Sequence, residues 1–258
     1  MHCDIRIGTS GYHYRHWLGT FYPQDLKTPR MLAYYLRYFD TVELNNSFYR
    51  LPTETAFDCW REAVPEGFVF AVKGSRFITH NKKLKDPENA LVNLLPRAER
   101  LGSKLGPILW QLPPRWRLNL DRLEEFLQVL PKKFRYAFEF RESSWHHPDV
   151  FALLRRHHAA YCIYQLAGYH TKHEITADWT YVRLHGPTQH KYAGSYTEQQ
   201  LATWAKWIQD HARRLKAIYV YFDNDQAGYA THNALRLRQM VLGTGQGGLQ
   251  PRDVDCAA

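Results

Sequence analysis

The stretch TVELNNSFYRLP, residues 41–52, decides how the rest of the chain is read. Val42 and Leu44 are apolar, while Thr41, Glu43, Asn45 and Ser47 occupy the other parity. A period of two marks a strand with one greasy and one polar face. The polar face carries a carboxylate, an amide and a hydroxyl in a row. The run then passes through Phe48, Tyr49 and Arg50 to a stop at Pro52. A solvent-facing strand has the same look. What separates this one from that ordinary case is that strand-like runs elsewhere in the chain repeat it.

Working outward, similar runs occupy residues 5–12, 68–73, 107–112, 135–141, 160–165, 179–185 and 217–223. Helix-like segments fall between them, at residues 30–39, 53–64, 89–105 (bent near Pro96), 121–130, 149–158, 197–214 and 233–241. Leu120, Leu123, Phe126, Leu127 and Leu130 make the clearest helical stripe. Strands alternating with helices imply parallel pairing through right-handed crossovers. About eight such units in 258 residues fit a TIM-type barrel better than an open sheet. No G-x-G-x-x-G follows the first strand, so a dinucleotide-binding sheet lacks its signature. The expected fold class is α/β: one TIM-type (β/α) barrel domain over residues 1–242. A Gly-rich polar tail at 243–258 is expected to be disordered.

Composition narrows the function classes. Hydrophobic residues make up 45% of the chain and charged residues 23%, which supplies a core and argues against disorder. The formal charge of +9 favours an anionic partner, either a phosphorylated metabolite or nucleic acid. The four cysteines are scattered with no C-x-x-C pair, so no metal or redox motif is present. No charged-then-apolar leader opens the chain, and no apolar run approaches the length of a membrane span. A cytoplasmic protein without a membrane role is expected. Oligomeric state leaves no mark in the sequence.

In a TIM-type barrel the chemistry gathers at the C-terminal ends of the strands. Those ends carry Ser10 and Tyr12, then Glu43 and Asn45, then Lys73 followed by Arg76 and His80. Further round come Gln111, Glu139 with Arg141, Gln165, Arg183 with His185, and Asp223 with Asn224. Parallel barrel strands normally read as apolar runs, and an ionisable residue inside one is costly unless it is paired or functional. A structural ion-pair network would account for any single residue. A functional mouth accounts better for the whole ring.

The catalytic candidates are Glu43 and Glu139 as an acid/base pair, Lys73 as a Schiff-base former, and His185. The substrate-binding candidates are Tyr12, Asn45, Tyr49, Arg76, His80, Gln111, Arg141, Trp145, Arg183 and Asn224. Glu43, Glu139, His185 and Asp223 have the residue types to hold a divalent metal. No H-E-x-x-H or comparable spacing supports one, and no cofactor or metal ligand is assigned. The leading reading is an enzyme acting on a small anionic or sugar-like substrate, with paired carboxylates and a basic ring. A nucleic-acid-binding or -processing protein is the alternative. It draws on Tyr12, Tyr14, Trp17, Phe21 and Tyr22 interleaved with His13, Arg15 and His16. The competing account of those aromatics is a packed lid. A metal-dependent hydrolase or isomerase is the third reading.

Seven ordered motifs carry a family resemblance. They are GTSGYHYRHWLGTFYP (8–23), VELNNSFYRLP (42–52), FAVKGSRFITH (70–80), LGPILWQLPP (105–114), EFRESSW (139–145), YVRLHG (181–186) and YVYFDNDQAGYATHNA (219–234). With them the sequence resembles the domain of unknown function 72 family, the YecE-like proteins, over residues 5–241. The resemblance implies a TIM-barrel-like fold and brings no reaction. This chain departs from the family pattern at Glu142, where His is expected, and at Asp223, where Asn is expected.

Overall fold

A computed structural model describes residues 3–243; the expected tail from 244 onward lies outside them. Eight parallel strands close into a barrel: β1 (Asp4–Ser10), β2 (Thr41–Leu44), β3 (Val69–Lys73), β4 (Leu105–Gln111), β5 (Tyr136–Glu139), β6 (Ala160–Leu166), β8 (Trp179–Leu184) and β9 (Ala217–Phe222). A two-residue strand, β7 (Tyr169–His170), folds back antiparallel on β6. Pairing runs β1–β2–β3–β4–β5–β6–β8–β9, and β9 returns to β1 with Asp4 opposite Ala217 and Thr9 opposite Phe222. The TIM-type barrel expected from the alternation is the observed fold.

The outer ring is α1 (Met31–Tyr35), α3 (Glu54–Ala63), α4 (Glu88–Glu99), α5 (Leu120–Val129), α6 (Pro148–Arg156), α7 (Glu198–Ala212) and α8 (Tyr229–Leu242), with a single turn, α2 (Asn46–Tyr49), beyond β2. Helix starts follow local chemistry. Thr53 accepts the Ala56 amide at 3.2 Å, Asn119 accepts that of Arg122 at 2.9 Å, and Thr197 with Gln200 makes a reciprocal capping box. No helix among the described residues is long and apolar enough to cross a membrane.

Strand residues divide by parity into two apolar clusters. Phe70, Val72, Ile108, Trp110, Phe138, Ile163, Val182 and Val220 face outward to the helices. Ala71, Leu109, Ala137, Cys162, Tyr181, Tyr219 and Tyr221 fill the lumen. The lumen is therefore a packed core whose upper layer is tyrosine, and the charged residues sit on it. Alternation places Ser10, Glu43, Lys73, Gln111, Glu139 and Arg183 on that same inward parity.

Several boundaries differ from expectation. β2 stops at Leu44 because Asn45 turns to φ −100° and ψ −14°, which starts α2. Ser47 thus leaves the strand parity, and its hydroxyl donates to the Lys73 carbonyl at 2.6 Å. β1 stops at Ser10 because Gly11 takes a φ of +88°, a region that glycine enters without strain. Tyr12 consequently swings into the helix layer, where its hydroxyl accepts from Trp60 Nε1 at 3.2 Å. Pro96 lies inside α4, which runs on to Glu99 before a short turn at Gly102–Lys104.

Gly8 marks a close approach in the barrel wall, since a Cβ there would lie 2.4 Å from the Thr41 carbonyl oxygen. Gly8→Ala must shift backbone in the wall, so a loss of about 1–3 kcal/mol is expected. Urea unfolding measures it. An unchanged midpoint would show the wall to be pliant at this point.

Candidate functional site

Arg183 organises the mouth. It is fully buried, arising from β8 two residues above Tyr181 on the lumen side. Its Nη2 donates to Glu43 Oε1 at 2.7 Å, to Asp223 Oδ2 at 2.9 Å and to Ser10 Oγ at 2.9 Å. Its Nη1 donates to Glu139 Oε2 at 2.7 Å. Four strand ends, those of β1, β2, β5 and β8, and the residue following β9 are thereby tied to one guanidinium. Glu43 is satisfied at its other oxygen by Tyr181 Oη at 2.6 Å, and Ser10 Oγ also donates to it. Asn45 Nδ2 in turn donates to Ser10 at 2.8 Å.

A second layer joins Arg141, His185 and Asp223. Arg141 Nε donates to Glu139 Oε1, and its Nη2 lies 3.0 Å from His185 Nε2. A guanidinium donates and never accepts, so Nε2 is the accepting nitrogen. His185 Nδ1 then carries the proton and donates to Asp223 Oδ2 at 2.9 Å. Burial works against ionising Glu139, yet Arg141 and Arg183 outweigh it and hold the carboxyl well below its usual range. Asp223 sits at about 2: burial opposes its charge, and Arg183 and His185 overcome that. Glu139 and Asp223 are therefore ionised at neutral pH and have no proton to lend.

Lys73 is set apart from this network. Its residue is 7% exposed, and its Nζ rests 4.2 Å from the centre of the Phe48 ring on α2. No described residue offers that ammonium a hydrogen bond or a close ion pair. Burial first, and Arg183 second, lower its amine to about 8, against the opposing pull of Glu43, Asp223 and Glu139. The mouth thus holds three carboxylates, two guanidiniums bonded to them and one amine bonded to none.

The other expected residues divide between rim and scaffold. His80 packs edge-on to Phe48 at 5.2 Å, and burial together with Lys73, Arg76 and Arg141 lowers it to about 4, so it is neutral. Arg76 is exposed on the turn after β3, and Tyr49 is 70% exposed at the rim. Gln111 is nearly buried and lines a cavity of about 440 Å³ with Arg141, Tyr164 and Tyr192. Trp145 lies elsewhere. It stacks on Phe140 at 5.1 Å and donates to the Trp116 carbonyl, in the helix layer. Asn224 pins loops instead of facing the mouth, donating to Gly194 O at 2.8 Å and to Asn233 Oδ1 at 2.9 Å. Tyr12, as described, faces Trp60.

Tyr181, Phe48 and Tyr164 were not singled out from sequence, although Tyr181 shares parity with Arg183 and His185 in WTYVRLH. No group of three or more His, Cys, Asp or Glu among the described residues is arranged to hold a metal ion. The reason is visible in the four residues considered for it, because Arg183 stands between their carboxylates. The lid aromatics are consumed in packing: Trp17 is fully buried and lies 4.9 Å from Tyr14 and 5.9 Å from Tyr22. A larger cavity of about 880 Å³ opens at the opposite end of the barrel, but its Arg156 and Lys216 are paired with Glu124 and Asp178.

A closed eight-stranded parallel barrel with an ionic cluster at its C-terminal mouth defines a TIM-type barrel protein. Within that class the chain belongs to the family described as protein of unknown function DUF72, whose model matches residues 6–254. It is 24% identical to the UPF0759 protein YunF of Bacillus subtilis over 97% of this chain and 99% of that one. It is 34% identical to the UPF0759 protein YecE of Escherichia coli over 47% of this chain and 43% of the relative. Among solved structures, a DUF72 family protein of Thermotoga maritima superposes with a TM-score of 0.82 at 30% identity, covering 93% of this chain and 99% of that chain. One from Enterococcus faecalis also gives a TM-score of 0.82, at 20% identity, covering 97% and 100%.

Arg183→Met would strand three carboxylates around an apolar side chain. A loss of about 3–5 kcal/mol in urea unfolding is expected, as for breaking a buried ion pair from one side. Adding Glu43→Gln to that variant should recover part of the loss. A single variant as stable as the parent would show that the cluster holds nothing together.

Proposed function

We propose that the protein is an enzyme acting on a small anionic or sugar-like carbonyl compound, with Lys73 as the reacting amine at the C-terminal mouth. One observation carries the reading: a nearly buried lysine, its ammonium without a hydrogen-bonding partner, directed to the functional end of a TIM-type barrel. A structural lysine at such a depth is normally paired, as Lys104 is, donating to the Arg61 and Val64 carbonyls at 2.7 and 2.6 Å. With its amine near 8, about a tenth of Lys73 is unprotonated at pH 7. The amine lone pair adds to the substrate carbonyl carbon, and the carbinolamine hydroxyl takes up a proton and leaves as water, giving a cationic Schiff base that draws electrons from the adjacent carbon.

The surrounding groups suit that chemistry. Glu43 and Glu139 act through Arg183, fixing its charge in place, instead of serving as a proton-transfer pair. His185, oriented by Asp223, is the group able to relay a proton. Arg141 and Arg76 supply attraction for a substrate anion. The product class is that of a lyase or isomerase working next to a carbonyl.

Borohydride trapping tests this. Incubation with a small panel of phosphorylated and carboxylated aldehydes and ketones, followed by reduction, should leave a secondary amine that mass spectrometry maps to Lys73. Trapping should rise about tenfold per pH unit below 8 and level off above it, because the free amine then saturates. Labelling spread over surface lysines, or a rise continuing to pH 10, would remove the proposal.

One feature favours a second reading. Tyr49, Phe77, Tyr169 and Tyr192 are exposed, and Arg50, Arg76 and Lys191 neighbour them in sequence. Such a rim stacks bases beside a basic track. A labelled single-stranded oligonucleotide should then bind at 50 mM salt, with log affinity falling linearly against log salt. Absence of binding at that salt removes it.

A further inference from the structure

Apart from Arg141, the 440 Å³ cavity beside Gln111 is lined by groups to which the carbonyl reaction gives no role. Tyr164, Tyr169 and Tyr192 stand around it, with Tyr164 and Tyr169 6.1 Å apart and Tyr192 edge-on to His185 at 5.5 Å. Arg141 lines it as well, with a side chain 8% exposed and its Cζ 5.0 Å from the Tyr164 ring centre. The Nε and Nη2 of Arg141 are spent on Glu139 and His185, while its Nη1 has no partner among the described residues. Gln111 likewise has no partner for its amide among them, although it is 8% exposed. A nearly buried guanidinium and a nearly buried amide, each with donors unspent, make a built anion site.

Position ties this cavity to Lys73. β3, β4 and β5 are consecutive barrel strands, and Gln111 pairs in register with Glu139. Lys73, Gln111 and Arg141 therefore follow one another round the mouth, with the tyrosine walls beyond them.

We infer that the cavity is the subsite for a planar ring bearing an anionic group: the anion on Arg141 Nη1 and Gln111, the ring among Tyr164, Tyr169 and Tyr192. The inference rests on the proposed reading for its link to a carbonyl at Lys73, and it narrows the substrate to aryl or heterocyclic phosphates and carboxylates. Acyclic sugar phosphates leave the tyrosine walls unused. A ring of this kind gains stacking on tyrosine faces, and a cavity of this volume suits a ligand of that size.

Titration calorimetry with phenyl phosphate, glycerol phosphate and phenol as probes decides the matter. Phenyl phosphate should bind at least tenfold more tightly than either of the others. Tyr192→Leu should erase the preference over glycerol phosphate, and Gln111→Leu should erase the preference over phenol. Both positions lie outside the Arg183 network, so circular dichroism should report an intact fold. Equal affinity for phenyl and glycerol phosphate, or a preference that survives Tyr192→Leu, would overturn the inference. Lys73→Met should keep the phenyl phosphate preference. If it does while trapping at Lys73 fails, the subsite stands and the carbonyl chemistry falls.

Discussion

The rest of the mouth depends on one buried guanidinium. A cation in a barrel lumen is tolerated only if its surroundings return what desolvation takes away. Arg183 meets that condition with Glu43, Glu139, Asp223 and Ser10, which arrive from β2, β5, the end of β9 and β1. Each of those side chains is short of freedom as a result. The oxygens of Glu43 and Glu139 are all engaged, with the guanidiniums of Arg183 and Arg141 and with Tyr181. On the proposed reading the pair serves as the scaffold of the site and leaves the chemistry to Lys73.

The tyrosine layer beneath supports this cluster in a lumen of buried side chains. Tyr181 satisfies the second oxygen of Glu43, and Tyr221 Oη donates at 2.7 Å to Thr41 Oγ1, whose own proton goes to the Val69 carbonyl. A phenol brings a large apolar body and a single polar tip, so it can fill a barrel and still serve a charge above it. That explains part of the high aromatic content in terms of position.

Much of the barrel was legible in the sequence because its signal is local and repeated. The strand runs alternate or are largely apolar, helix-like segments fall between most of them, and eight strands arranged so imply closure. The inward parity of Glu43, Lys73, Glu139 and Arg183 could likewise be read from single strands. The misplacements came where the chain leaves regular structure. Tyr12 lies beyond a glycine with positive φ, and Ser47 falls in a helical turn that no periodicity announces. Trp145 and Asn224 follow strand ends in sequence but turn back into the helix layer and the loop network. Which carboxylate meets which cation is a matter of three-dimensional closure, and one sequence holds no distances. The DUF72 family membership agrees with the barrel and leaves the chemistry to be argued from the side chains.

The placing of Lys73 over Phe48 has a thermodynamic corollary. A ring face offers the ammonium weaker compensation than water or a carboxylate, so the protonated form is held at a disadvantage. An anion arriving beside it restores that compensation and raises the amine's proton affinity. Ligand binding is then coupled to proton uptake between pH 8 and the ordinary lysine range. On the proposed reading a compound lacking a carbonyl is gripped as a salt, whereas one bearing a carbonyl keeps the positive charge on the nitrogen, since ammonium and carbonyl together give a cationic Schiff base and water. On that reading the same side chain separates ligands that stay charged partners from those that become covalent ones.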